Sequence, residues 1–430
     1  MHRPLRLHVA AWAWALLAFC VTGGIAGHPA DGCDAPPLPP TTRGHLEPDA
    51  TTMPAAPAGA FAAIGEVHYR LLGVRDCQCR AVQFAPLAST LARERHALAA
   101  VPACCEHPIL HCVCPCQCDD RANKLRQCIL YYAELEARNR SAGAALDQFF
   151  RIAEAEAKDD LLGLGRADLA GAHEQAKSLA DQGFKLPIEL ASLDRQQLEA
   201  EADQVRLHGA LIEFNGRLKG LIGQSELPQD ERLWPAADFA ISYSPIDPES
   251  AIQVALTQRA ELQLLRTLNC ELDVKTLPVI REFLKGLNPG LGVQATANSR
   301  LGRACFAFKV LVTRHAAEKS ERSDQLEQLL AEREKAVSDE VRQALAQLVM
   351  QSQLVDLDRR HVLAWQARVQ EMQDRQSKSA ATFLDVLQAK LEWYKSRATF
   401  TADVMGWHRA YAQLRLAQGA LVAECGMPPQ

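Results

Sequence analysis

One short stretch gathers Cys104, Cys105, His107, His111, Cys112, Cys114, Cys116 and Cys118, with Cys77 and Cys79 upstream. Alternating Cys-x-Cys puts thiolates on one side of an extended chain, where soft ions such as Cu(I) or Zn(II) are held. Cys112, Cys114, Cys116 and Cys118 are the metal candidates on that reading. The paired Cys-x-x-Cys spacing of structural zinc sites is not formed. In an oxidising compartment the favoured reading is a disulfide cluster of Cys104, Cys105, Cys112, Cys114, Cys116 and Cys118 that staples a loop. Free thiols and lipidation are the remaining readings. Pro102, Pro108 and Pro115 keep this stretch out of any helix.

No catalytic constellation accompanies the cysteines. The His and carboxylate pairs fall on helix patterns and read as solvated faces. Asp385 reads as a helix cap. There is no phosphate-binding glycine loop. The expectation is a protein that is not an enzyme and uses no cofactor.

The elements that must carry these residues are long helices. Val386, Trp393, Phe400, Trp407, Leu414 and Leu421 recur every seventh residue, beside a second row of Leu384, Leu391, Ala398, Met405 and Ala412. Upstream, Val341, Leu348, Val355, Val362 and Val369 keep the same spacing. Seven residues is 3.5 per turn, the period of a seam that keeps facing a neighbouring helix. Gln376 to Thr382, short and polar, reads as the turn between antiparallel arms. A similar turn at Gln182 to Pro187 precedes a returning helix that carries Leu207, Leu211, Phe214, Leu218 and Leu221 and stops at Gly223. The fold class is therefore mainly α, two pseudo-repeated long antiparallel hairpins. Gly183, Phe184, Lys185, Ser377, Lys378 and Ser379 form their tips. Two parallel rows on the last helix exceed what one partner helix covers, which points to self-association.

The sequence of 430 residues carries a net charge of -5, so no global field favours nucleic acid. Arg3 and Arg6 precede an apolar run from Val9 to Val21, then Gly24 and Ala26, so residues 1–26 read as a signal peptide. Residues 27–60 read as a disordered linker. A first helical repeat follows at 61–223, with the cysteine-rich loop at 101–118. Within it, residues 61–100 give a helical pattern, and Gly163 and Gly165 interrupt the long arm. A linker at 224–247 leads to a second repeat at 248–423 and a tail at 424–430. Pro248 opens a helix running to Leu272, and residues 274–304 read as irregular.

The stretch from Thr382 to Gly419, with Phe383-Leu384-Asp385-Val386-Leu387-Gln388-Ala389, resembles the final helix of the TolC-like outer membrane efflux proteins. Leu233-Trp234-Pro235 followed by Arg259-Ala260-Glu261-Leu262 resembles that family's join between repeats, although Ala260 stands where a proline is usual. The resemblance implies a homotrimer in the outer membrane. Each subunit would give strands to a β-barrel and arms to a periplasmic helical tunnel, with the tips meeting an adaptor and an inner membrane pump. Membrane strands need about 9–11 alternating residues each. Val101 to Cys118 is too short for two, and between Leu291 and Val312 the run Ala304 to Phe308 is the strand-like part. The barrel is therefore expected to be reduced or absent. The leading function is an exported efflux channel component. The alternatives are a non-conducting periplasmic coiled-coil scaffold and a cysteine-rich metal-binding protein.

Overall fold

The computed structural model describes residues 68–100, 120–183, 190–227, 231–237, 239, 241, 245–288 and 307–426. The signal and linker readings, the loop cysteines Cys104 to Cys118, and the tip residues Phe184 and Lys185 lie outside them.

Strand β1 (His68–Gly73) leads into α1 (Val74–Phe84) and α2 (Pro86–Ala100). The long arm α3 (Asp120–Asp181) follows, and α4 (Leu190–Leu221) returns. The second half repeats this order. Strand β2 (Glu231–Ala236) precedes α5 (Pro248–Gln258), α6 (Ala260–Cys270) and α7 (Leu277–Leu287). The long arm α8 (Ala307–Ser377), the returning arm α9 (Phe383–Ala417) and the short α10 (Leu421–Glu424) complete it.

The descending arms have 62 and 71 residues, the returning arms 32 and 35. At 1.5 Å per residue the descending arms span roughly 90 and 105 Å, the returning ones about half that. The excess length of α3 and α8 packs against the short helices. Contacts between arms run in the order α8, α9, α3, α4, with no extended contact between α4 and α8. The four arms thus form an open layer.

Five sequence expectations need correction. Residues 61–100 are not all helix, because β1 pairs in parallel with β2, from His68 opposite Glu231 to Gly73 opposite Ala236. Leu233 and Trp234 are buried on this ribbon, and Tyr69 meets Trp234 edge-on at 5.4 Å. Gly163 and Gly165 do not interrupt α3. Gly165 faces α9, where a Cβ would sit at ordinary contact distance from Leu391 and Tyr394. The helix from Pro248 breaks at Arg259, whose ψ of 120° is extended. Residues 277–287, read as irregular, form α7. Its face of Leu277, Ile280, Phe283 and Leu284 is buried with Leu125 of α3, Leu268 of α6 and Leu326 of α8. The strand-like run at 304–308 reaches into α8, whose first residues are Ala307 and Phe308.

Both returning arms end alike. Gln224 N donates to Lys219 O at 2.8 Å, and Ala420 N to Arg415 O at 3.0 Å. Gly223 and Gly419 supply the positive φ that this C-cap needs. Gly419 has a second reason to be glycine. A Cβ there would lie 3.2 Å from both Gln258 O and the Arg259 Cα.

Candidate functional site

In α9, Val386, Phe400, Trp407 and Leu414 are buried and Trp393 is half-buried. Leu421, the sixth residue of the row, lies beyond the Gly419 break and is buried in α10. The two rows of α9 face different neighbours. Val386, Ala389 and Trp393 pack on Val369 and Met372 of α8, while Leu384, Leu387 and Leu391 pack on Leu169, Ala172 and Ala176 of α3. Both rows are therefore covered within one chain, and α9 gives no argument for self-association.

Unsatisfied apolar surface lies instead on the two edge helices. On α4, Leu198, Val205 and Ile212 stand exposed every seventh residue. Four residues after each come Ala202, Gly209 and Gly216, also exposed. Together they make a seam of alternating large and small residues, the pattern that lets a neighbouring helix interlock closely. On α8, Val349, Met350, Leu354, Leu357 and Leu363 are exposed. The α4 row escapes a sequence reading drawn to bulky runs, since half of its positions are small.

The tip of the second hairpin is built by capping. Thr382 Oγ1 accepts from Asp385 N at 3.2 Å, and Asp385 Oδ2 accepts from Thr382 N at 2.7 Å. The second of these, with a bond from Thr382 Oγ1 to Asp385 Oδ2 at 2.7 Å, holds the Asp385 carboxyl below the usual carboxylate range. Ser379 takes φ 56° in a turn without glycine, and Ser377 and Lys378 precede it. Gly183, with φ 83°, closes α3 at the other tip. Further along, Asp168 of α3 accepts from Lys390 Nζ and Tyr394 OH of α9, each at 2.8 Å.

At the opposite end a charged junction joins the halves. Arg259, 7% exposed along its side chain, donates Nη1 to Ala417 O at 3.0 Å and pairs with Glu340 at 2.9 Å. Arg333 Nη2 meets Glu261 Oε1 at 2.7 Å. Burial opposes the charge on Glu261, yet Arg259 and Arg333 together hold its carboxyl below the normal range. Glu136 of α3 goes the other way, pushed up by burial and by Glu261. The Arg259 and Glu261 of the repeat join thus work as a buried ion network.

Sequence reasoning missed the covalent link of the fold. Cys79 of α1 is disulfide-bonded to Cys425, just past α10. Cys77, two residues before it, is a buried free thiol pushed up to about 12 by burial. Among the described residues, no group of three or more His, Cys, Asp or Glu side chains is placed to hold a metal ion. Among them also, no helix is long and apolar enough to cross a membrane.

No protein-family model and no curated protein matches this sequence. Solved structures do match. The CmeC outer membrane channel of Campylobacter jejuni aligns at 13% identity and a TM-score of 0.50, over 70% of this chain and 66% of that one. The OprN outer-membrane channel aligns at 15% identity and 0.50, over 70% and 71%. The MtrE outer membrane channel of Neisseria gonorrhoeae, in its open state, aligns at 14% and 0.50, over 70% and 72%. The chain spans just under two thirds of the CmeC channel's length. Its fold is that of the TolC-type outer membrane channels: long paired helical hairpins, with only the short β1–β2 ribbon as sheet among the described residues.

Proposed function

We propose that this chain is the tunnel-forming component of an efflux or export assembly, acting at the outer membrane and periplasm as a homotrimer. One observation carries the reading. The open layer ends in α4 on one side and α8 on the other, and both edges expose apolar rows. Such surface is unfavourable to leave in water at about 25 cal/mol per Å². Setting the α4 edge of one copy against the α8 edge of the next covers both rows, and repeating the step closes a ring. The tips at Gly183 and Ser379 then point to one end of the tunnel, where an adaptor and an inner membrane pump would dock.

The other end favours a reduced barrel. The segments that join α2 to α3 and α7 to α8, residues 101–119 and 289–306, are each fewer than 20 residues long. Two spanning strands of about 9–11 residues with a turn do not fit comfortably in either. The buried face of α7 also belongs to the helical core at this end. These features favour a second reading, a periplasmic helical scaffold that conducts nothing.

Sedimentation of the mature protein in mild detergent tests the ring. A trimer that Val205→Glu and Ile212→Glu convert to monomer is expected. A wild-type monomer at micromolar concentration would overturn it. Recovery with the outer membrane and single-channel conductance in a planar bilayer support the channel; a trimer in the soluble fraction supports the scaffold.

A further inference from the structure

Between Leu193 and Leu211 the helix α4 is built inside out. Those two side chains are buried, and across residues 194–210 none is. Toward α3 this stretch is polar. Asp194 meets His173 at 2.9 Å, Glu201 meets Arg166 at 3.1 Å, and His208 meets Asp159 at 3.0 Å. Gln204 Nε2 donates to Asp159 Oδ1 at 3.3 Å. Half-buried Ala200 and Leu207 supply the apolar contact on that side. The larger Leu198 and Val205 stand exposed on the other. Partly hydrated polar bridges hold a helix weakly compared with buried apolar packing. The other returning arm shows the contrast, since α9 buries side chains from Val386 to Arg415.

Gly209 and Gly216 point the same way. Glycine weakens a helix interior relative to alanine. Neither residue has a positive φ, and among the described residues no neighbouring group stands within 4 Å of where a Cβ would lie. Nothing in their own chain calls for glycine there. A helix from outside, closing on that face, does. The α8 edge fits by size, because Val349, Met350, Leu354, Leu357 and Leu363 are large and exposed. It also fits by charge. Read away from the tips, two exposed ion pairs on α4 run Arg195, Glu199, Asp203, Arg206. Two on α8 run Glu371, Arg368, Arg360, Asp356. Laid side by side with their tips together, each charge on one edge has its opposite on the other, the arrangement that selects a partner and its direction.

We propose that residues 194–210 of α4 are completed by α8 of a second copy and reach full stability only on assembly. This rests on the ring reading above. It adds the charges that match one edge to the other, and a loosening confined to α4 in the free chain.

Sedimentation and hydrogen exchange of the full chain test it together. In the wild-type trimer, peptides covering 194–210 are expected to be as protected as those covering 397–410 of α9. Leu357→Glu with Leu363→Glu leaves α4 untouched. It should dissociate the ring and cost 194–210 on the order of tenfold or more in protection, while 397–410 keep theirs. Arg360→Glu with Arg368→Glu, both on the surface, is a second route to the dissociated chain. Adding Glu199→Arg with Asp203→Arg should then restore assembly and protection. A dissociated chain in which 194–210 stays as protected as 397–410 would overturn the inference and leave the ring standing. So would a fourfold charge exchange that assembles no better than the twofold one. A wild-type monomer would take down the ring and the inference with it.

Discussion

Cys79 and Cys425 share a disulfide across 346 residues of sequence. The bond fastens α1, at the start of the described fold, to the segment beyond α10 at its end. Gln78 reinforces the contact, donating to Leu421 O at 2.9 Å and to Glu424 Oε2 at 2.8 Å.

Cys79→Ser or Cys425→Ser should therefore lower stability by about 2–5 kcal/mol, chiefly by freeing the unfolded chain. Denaturant unfolding of each single variant and of the double variant measures this. The three should be equally affected. A double variant as stable as wild type would show that the bond adds nothing.

Removing Glu261 should cost more than a surface charge. It leaves Arg259 and Arg333, 7% and 12% exposed along their side chains, without their shared carboxylate. Glu340, which pairs with both guanidiniums, remains, so Glu261→Gln is expected to destabilise by about 1–3 kcal/mol, the cost of losing a hydrogen-bonded partner to a buried charge. A loss below about 1 kcal/mol, the range of surface pairs, would refute the network.

Glu156 gives the fold a pH dependence. Burial pushes its carboxyl up to about 7; Arg232 works against the rise and Asp159 adds to it. A folded-state value above the unfolded one means that the stabilisation is complete below the unfolded value, about 4.3, and is lost as pH climbs through 7. The linked loss is about 4 kcal/mol over that window. Thermal unfolding at several pH values should show the wild type losing ground on Glu156→Gln between pH 5 and 8. Parallel curves would contradict the assignment.

Ser379 holds φ 56° with a side chain present. Ser379→Gly should stabilise the second hairpin by a few tenths to about 1 kcal/mol, and Ser379→Val should destabilise it by about 1–2 kcal/mol. Unfolding midpoints in urea read both changes.

The long arms were legible because their signal is repeated. Val341 to Val369 and Val386 to Leu414 restate one spacing over many turns, and Asp247, Pro248 and Thr382 mark helix starts by local chemistry. What escaped depended on distant partners. His68–Gly73 is a strand because Glu231–Ala236 lies beside it, far along the chain. Cys425 carries no spacing that names Cys79 as its mate. Arg259 breaks a helical pattern because its backbone meets Gly419 and its side chain meets Ala417 and Glu340. The α7 stretch was hidden by Pro278 and nearby glycines, although proline is tolerated in a first turn.

The unequal arms also have a mechanical consequence. In α3 and α8 one hydrogen-bond ladder runs unbroken from the tip region into the core of short helices, for 62 and 71 residues. The returning arms end near Gly223 and Gly419. A twist applied at a tip therefore travels along α3 and α8 as along drive shafts, and reaches α6 and α7 with little slack. Along α4 and α9 the ladder ends at the glycine caps, Gly223 and Gly419.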